Sequence, residues 1–211
     1  MLSHIKKNIA ARTFIYFWRY LKNPAKATED ISGEKNKLAI GCLFLLYFGI
    51  GYSIVAITVY FLGALPDSPF ISLIPAKKWY LVQAITTIPL TFISHGIYST
   101  TAYLLSRLMK GNGSFDATFS SQAFTVYIPA LIFMWLPELT LFTYLNSKGI
   151  YSYPWPDFVE YLRVFILPFI WIITISTISL MKVHRFSWWK AAISVIISLI
   201  LSGGISAFFI R

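Results

Sequence analysis

The sequence predicts an all-α integral membrane protein: a five-helix transmembrane bundle with an amino-terminal amphipathic interfacial helix. Three observations predict it. The chain is 57% apolar and 18% aromatic, with only 12% charged residues, far from the composition of a water-soluble domain. Its apolar residues gather into five runs that suit a hydrocarbon layer of about 30 Å, which takes roughly 20 helical residues to cross. Its net charge of +10 sits on alternate connections between those runs, a pattern of membrane topology and not of a nucleic-acid patch.

The first element is the arm. In IKKNIAARTFIYFWRYL, Phe14, Phe17, Trp18 and Leu21 recur at helical spacing, Ile5 and Ile9 extend that side, and Lys6, Arg12, Arg19 and Lys22 flank it. Such a helix lies on the cytoplasmic leaflet. Each cation there is worth about 1 kcal/mol against an anionic surface, which makes Arg12, Arg19 and Lys22 candidate contacts for anionic lipid or a protein partner. Asn23-Pro24 ends the helix, and a polar linker follows. Residues 1–37 are therefore read as a cytoplasmic arm and linker, and 38–211 as the membrane domain.

The spans follow in order. Leu38–Gly63 is uninterrupted by charge; the second, about Trp79–Met109, is long enough to project beyond the bilayer; the third, fourth and fifth are about Gln122–Leu145, Tyr161–Met181 and Trp188–Ile210. Gly49 and Ser53 in the first, and Ser198 and Ser202 in the last, stand four apart and let helices approach closely within the bundle, with a homo-oligomer left open. Pro89, Pro129, Pro137 and Pro168 each remove a backbone donor inside a span, so kinks are expected. Cys42 is the one cysteine, so no disulfide forms within the chain. Around Trp155, a proline- and aromatic-rich connection marks the interface.

Charge sets the orientation. Eight basic residues precede the first span, Arg107 and Lys110 lie between the second and third, and Lys182, Arg185 and Lys190 lie between the fourth and fifth. Positive residues mark the inside, so the amino terminus is expected in the cytoplasm and the carboxyl terminus, at Arg211, outside. No secretory signal is expected ahead of the first span.

The connections and the interior supply the candidate site residues. In KGNGSF, Gly111 and Gly113 are expected to take positive φ in a tight turn, with Ser114 capping the next helix. Amides at a helix start beside Arg107 and Lys110 suit a lipid phosphate. His184 and Arg185 are expected to face headgroups, with Trp188 and Trp189 at the same depth. Within the lipid, His95 and Glu138 are the ionisable residues of interest. Ser94 and Ser99 add hydroxyls, and Gly96 is expected to admit a neighbouring helix. Two readings of His95 stand: a neutral imidazole bonding across a packed interface, or a polar cleft with Glu138 toward its outer mouth, serving an ion, proton or lipid headgroup. The two side chains are separated by roughly 13 Å along the membrane normal at 1.5 Å per residue. No H-E-x-x-H, G-x-S-x-G or carboxylate-rich helix occurs, and the histidines at 4, 95 and 184 share no ligand spacing. Catalysis, a metal and a cofactor are not expected.

Arg107, Gly111, Gly113, Ser114 and Phe115, then Tyr127 and Pro129, and later Val183-His184 ahead of Ser187-x-x-Lys190-Ala191 resemble the Yip family of Rab-interacting polytopic membrane proteins, particularly its prokaryotic members. The resemblance covers most of residues 15–211. It implies a five-helix membrane bundle and, for the eukaryotic relatives, a role in vesicle trafficking through prenylated Rab GTPases. The acidic-Leu-Tyr-Gly-Pro run of those eukaryotic members has no counterpart here, PDSPF at 66–70 being different, and a prokaryotic cell membrane is implied. The expected function is a non-enzymatic protein that organises membrane, or recruits a protein partner or anionic lipid, at the cytoplasmic face. The alternative is a small transporter or channel for an ion, proton or lipid-like solute near His95 and Glu138.

Overall fold

The computed structural model describes residues 8–63, 65, 74–148 and 156–206, and its regular elements are all helical. His4, Ile5, Lys6, Lys7, PDSPF, Trp155 and Arg211 lie outside the described residues.

Helix α1 (Ile9–Lys22) starts at Asn8, whose side chain accepts from Ala10 N at 2.9 Å. Asn23 ends it and at once caps α2 (Pro24–Ser32), accepting from Lys26 N at 3.0 Å, with proline in the first turn. The stretch read as a polar linker is thus largely a second short helix. Its sequence carries both the cap and an i,i+4 pair, Lys26 with Asp30 at 3.0 Å.

The arm packs on the long helices. Thr13, Tyr16 and Tyr20 form a buried stripe on α1, and Tyr20 stacks on Phe124 at 4.9 Å, while Phe44 covers that ring from 4.2 Å. Tyr16, Tyr20, Ala27 and Ile31 share one apolar cluster with Phe44, Phe119 and Phe124 of the long helices, so the arm and the spans have a common core. Phe14 and Trp18, on the other side of α1, are 62% and 48% exposed.

The long helices are α3 (Lys37–Phe61), α4 (Trp79–Leu108), α5 (Phe115–Ala130), α6 (Leu136–Ser147), α8 (Leu167–His184) and α9 (Trp188–Ser206), with a short α7 (Asp157–Tyr161) before α8. The helix containing the expected third span starts at Phe115, where Ser114 caps it by accepting from Ala117 N at 3.3 Å. Helix α4 packs against α3, α5 and α9; α5 also packs against α3 and α8, and α8 touches α2 and α9. By length and composition, three stretches among the described residues suffice to cross a membrane: Lys37–Phe61, Phe115–Thr140 and Leu162–His184. Trp188–Gly203 is a shorter apolar helix. The 30-residue α4 is not among them, for a reason visible in its packing. Gln83, Thr87, Thr91, Ser94, His95, Ser99 and Ser106 form a stripe along it, all buried, so its polar groups lower its mean hydropathy while they are packed inside, some bonding across to other helices and some within α4.

The prolines act selectively. The helical backbone runs through Pro89 and Pro129, but Pro137 and Pro168 each follow a π turn, Leu131–Trp135 and Leu162–Ile166. Both turns read Leu-x4-Leu-Pro, LIFMWLP and LRVFILP. Pro137 has no amide hydrogen to return to Phe133 O, four residues earlier. Arg163, in the second π turn, supplies the donor: its Nη1 reaches Phe133 O at 2.5 Å and Met134 O at 3.4 Å.

Small residues bring helices together, though not where Gly96 was expected to. A Cβ on Gly41 would lie 2.8 Å from Ser120 Cα, and one on Gly49 3.0 Å from Ile88 Cγ1, whereas one on Gly96 would meet nothing within 4 Å. Ser53 completes the α3–α4 contact by donating to Ala84 O at 2.7 Å.

Candidate functional site

His95 is wholly buried between α4 and α5. Its Nε2 lies 2.9 Å from Phe119 O. A carbonyl only accepts, so Nε2 carries the hydrogen in this bond. Ser99 Oγ lies 3.0 Å from the same nitrogen. Phe119 and Tyr127 meet the ring edge-on at 4.5 and 5.5 Å. Nδ1 is buried without a hydrogen-bond partner. Ser94, one position earlier and about 100° around the helix, turns toward α9 and donates to Ser202 O at 3.4 Å. Among the described residues the contacts of His95 come from α4 and α5, and none reaches Glu138, half-buried on α6. The residues grouped around His95 are thus divided between two packed interfaces.

A second polar knot lies beside it, and sequence reasoning missed it. Tyr98 donates to Gln122 Oε1 at 3.1 Å, Gln122 Nε2 donates to Ser176 O at 3.3 Å, and Thr125 Oγ1 and Ser176 Oγ lie 2.9 Å apart. These bonds join α4, α5 and α8. The available signal was Gln122 itself, an amide at the start of the expected third span. Arg163, at the start of the expected fourth span, was also missed as a donor to another helix.

At the arm end of the bundle the expected loop site is a clamp. Gly111 N donates to Ser106 O at 2.8 Å, Asn112 N to His184 O at 3.1 Å, and Gly113 N to His184 Nδ1 at 3.2 Å. The three amides are consumed by the protein, so the amide cradle expected for a phosphate is not formed. Nor do the glycines serve positive φ: among the described residues that conformation falls to Gly63, Lys110 at 68° and Arg185 at 54°. Gly111 and Gly113 are needed for close approach, since a Cβ on either would lie under 3 Å from His184 or Val183. His184, expected to face headgroups, is fully buried. Its Nδ1 accepts from Gly113, and its Nε2 lies 2.9 Å from the Thr118 hydroxyl, which itself donates to Ser114 O at 2.9 Å. That pattern selects the neutral tautomer with hydrogen on Nε2.

The arm's cations are largely neutralised by its neighbour α2 and the residues just after it. Arg12, with its side chain only 16% exposed, pairs with Glu34; Arg19 meets Asp30 at 3.3 Å, and Lys182 of α8 meets Glu29 at 2.8 Å. Lys182 holds the Glu29 carboxyl below its ordinary range. Burial pushes the Tyr20 hydroxyl up; Thr28 Oγ1 lies 3.2 Å from it and 3.1 Å from Ser179 Oγ, so α1, α2 and α8 meet at one point. Arg12 therefore faces inward, while Lys22, Arg107, Lys110 and Arg185 remain exposed.

Among the described residues no group of three or more His, Cys, Asp or Glu side chains is placed to hold a metal ion. No curated protein and no solved structure matches the chain. The Gly-Asn-Gly clamp on Val183-His184 and the long helices that it ties together fall within residues 18–210, the stretch matched by the Yip1 domain model, and the chain belongs to that family.

Proposed function

We propose that this chain is a non-enzymatic, five-span membrane protein, amino terminus inside and carboxyl terminus outside, that organises membrane or recruits partners through its cytoplasmic face. One observation carries the reading. The arm, the 109–114 loop and the 185–187 loop are tied to the helix ends and to one another by hydrogen bonds and ion pairs, making one platform that leaves Phe14, Trp18, Trp188 and Trp189 exposed beside basic side chains. Aromatic and basic groups together suit headgroup depth. The interior supports scaffold over conduction, because His95 Nε2 and both amide atoms of Gln122 bond to neighbouring helices.

Native mass spectrometry of the gently extracted protein tests this: a co-purifying anionic lipid or protein partner is expected. Protein that retains neither, and that drives ion or proton flux in proteoliposomes abolished by His95→Ala, would replace the platform reading with a transport one.

A further inference from the structure

We propose that the junction between the 109–114 and 185–187 loops binds the phosphate of an anionic phospholipid in the cytoplasmic leaflet, so that lipid recognition centres there and not on the arm. The proposal deepens the platform reading and rests on it.

Charge pairing separates the two basic regions. Three arm and platform cations, Arg12, Arg19 and Lys182, are each answered by a carboxylate of residues 29–34. Among the described residues no carboxylate pairs with Arg107, Lys110, Arg185 or Lys190. The clamp gathers these four. Arg107 Nη1 donates to Gly111 O at 3.2 Å, Lys190 Nζ donates to Met109 O at 3.2 Å, and Asn112 N, two residues past Lys110, holds His184 O, one residue before Arg185. Four cations on the two loops joined by this backbone contact, none of them paired with a carboxylate among the described residues, repel one another unless an anion joins them.

Backbone conformation points the same way. Lys110 and Arg185 both occupy left-handed φ, 68° and 54°, a region that costs a side chain more than it costs glycine. Each closely follows the end of its helix, where glycine is the common choice. Each is exposed. Trp188 and Trp189, 66% and 49% exposed in the first turn of α9, place this junction at headgroup depth.

The test uses full-length protein in nanodiscs of phosphatidylcholine with phosphatidylglycerol, followed by native mass spectrometry of the retained lipids. Lys110→Gly/Arg185→Gly is the informative variant, since it relieves the backbone while removing two cations. It should melt at or above the wild-type temperature yet lose selectivity for phosphatidylglycerol roughly twenty-five-fold, taking about fivefold per cation. Arg12→Gln/Arg19→Gln should keep most of the selectivity. Soluble glycerol phosphate should not displace the lipid; full displacement would overturn a lipid as the ligand. Unchanged selectivity in the glycine variant, or its loss only in the arm variant, overturns this site while leaving the platform reading intact. Wild-type protein with no preference for the anionic lipid overturns both.

Discussion

His184 shows how one side chain holds a connection in place. Its Nδ1 is the acceptor for Gly113 N, and its Nε2 the donor to Thr118. An orphaned buried donor costs about 1–3 kcal/mol, so His184→Ala should lower stability by about 2–3 kcal/mol in thermal melts. His184→Asn, whose Oδ1 falls near the place of Nδ1, should lose about half as much. The glycines separate by space in the same assay. Gly113→Ala puts a Cβ 2.6 Å from Val183 Cγ1 and should cost about 1–3 kcal/mol. Gly96→Ala enters open space within α4 and should be neutral or gain about 0.5–1 kcal/mol. The importance of Gly111, Gly113 and His184 was legible in the sequence, but its cause was not. Spacing identifies a turn, whereas the contact that demands glycine comes from a residue 71 positions away from Gly113.

The paired π turns make a prediction about two elements at once. If Arg163 replaces the donor that Pro137 lacks, the two residues are energetically coupled. Arg163→Met alone should destabilise by about 2 kcal/mol. In a Pro137→Ala background, which returns an amide hydrogen to the helix at that position, the same change should cost under about 1 kcal/mol. A double-mutant cycle of unfolding in detergent measures the coupling, and equal costs in the two backgrounds would remove the account. At the junction of α2 and α8, the Glu29–Lys182 pair depresses the carboxyl's affinity for protons. Its stabilisation is present above the ordinary value of 4.5 and is lost as the pH falls through the lower folded value. Glu29→Gln should flatten that acid limb in tryptophan-fluorescence melts, and high salt should do the same. Prolines and apolar lengths were legible here. Which prolines open a π turn was not, because Pro89 and Pro129 look no different from Pro137 and Pro168 until their neighbours are seen.

For the whole molecule, the distribution of basic residues remains the strongest guide to orientation. Reporter fusions should place the amino terminus in the cytoplasm and the carboxyl terminus outside; finding both on one side would require a different number of crossings. The helical class was legible from composition, and so was the extent of α3. The role of α4 was less so, because a central helix satisfies its Gln83, Thr87 and His95 side chains or hides them among its neighbours, and hydropathy alone registers only their polarity. Electrostatic pairing was hidden for a related reason. Arg12 and Glu34 lie on separate elements in sequence and meet only when α2 folds back along α1.

The contact between Thr28 and Ser179, 151 positions apart, also bears on biogenesis. At about 5–20 residues per second, the ribosome needs roughly 8–30 s between adding the first of these residues and the second. During that interval the leading helices have no α8 on which to dock. A nascent chain arrested before Ser176 should therefore expose its arm, up to Asn36, to added protease, and one arrested well after release of Lys190 from the exit tunnel should protect it.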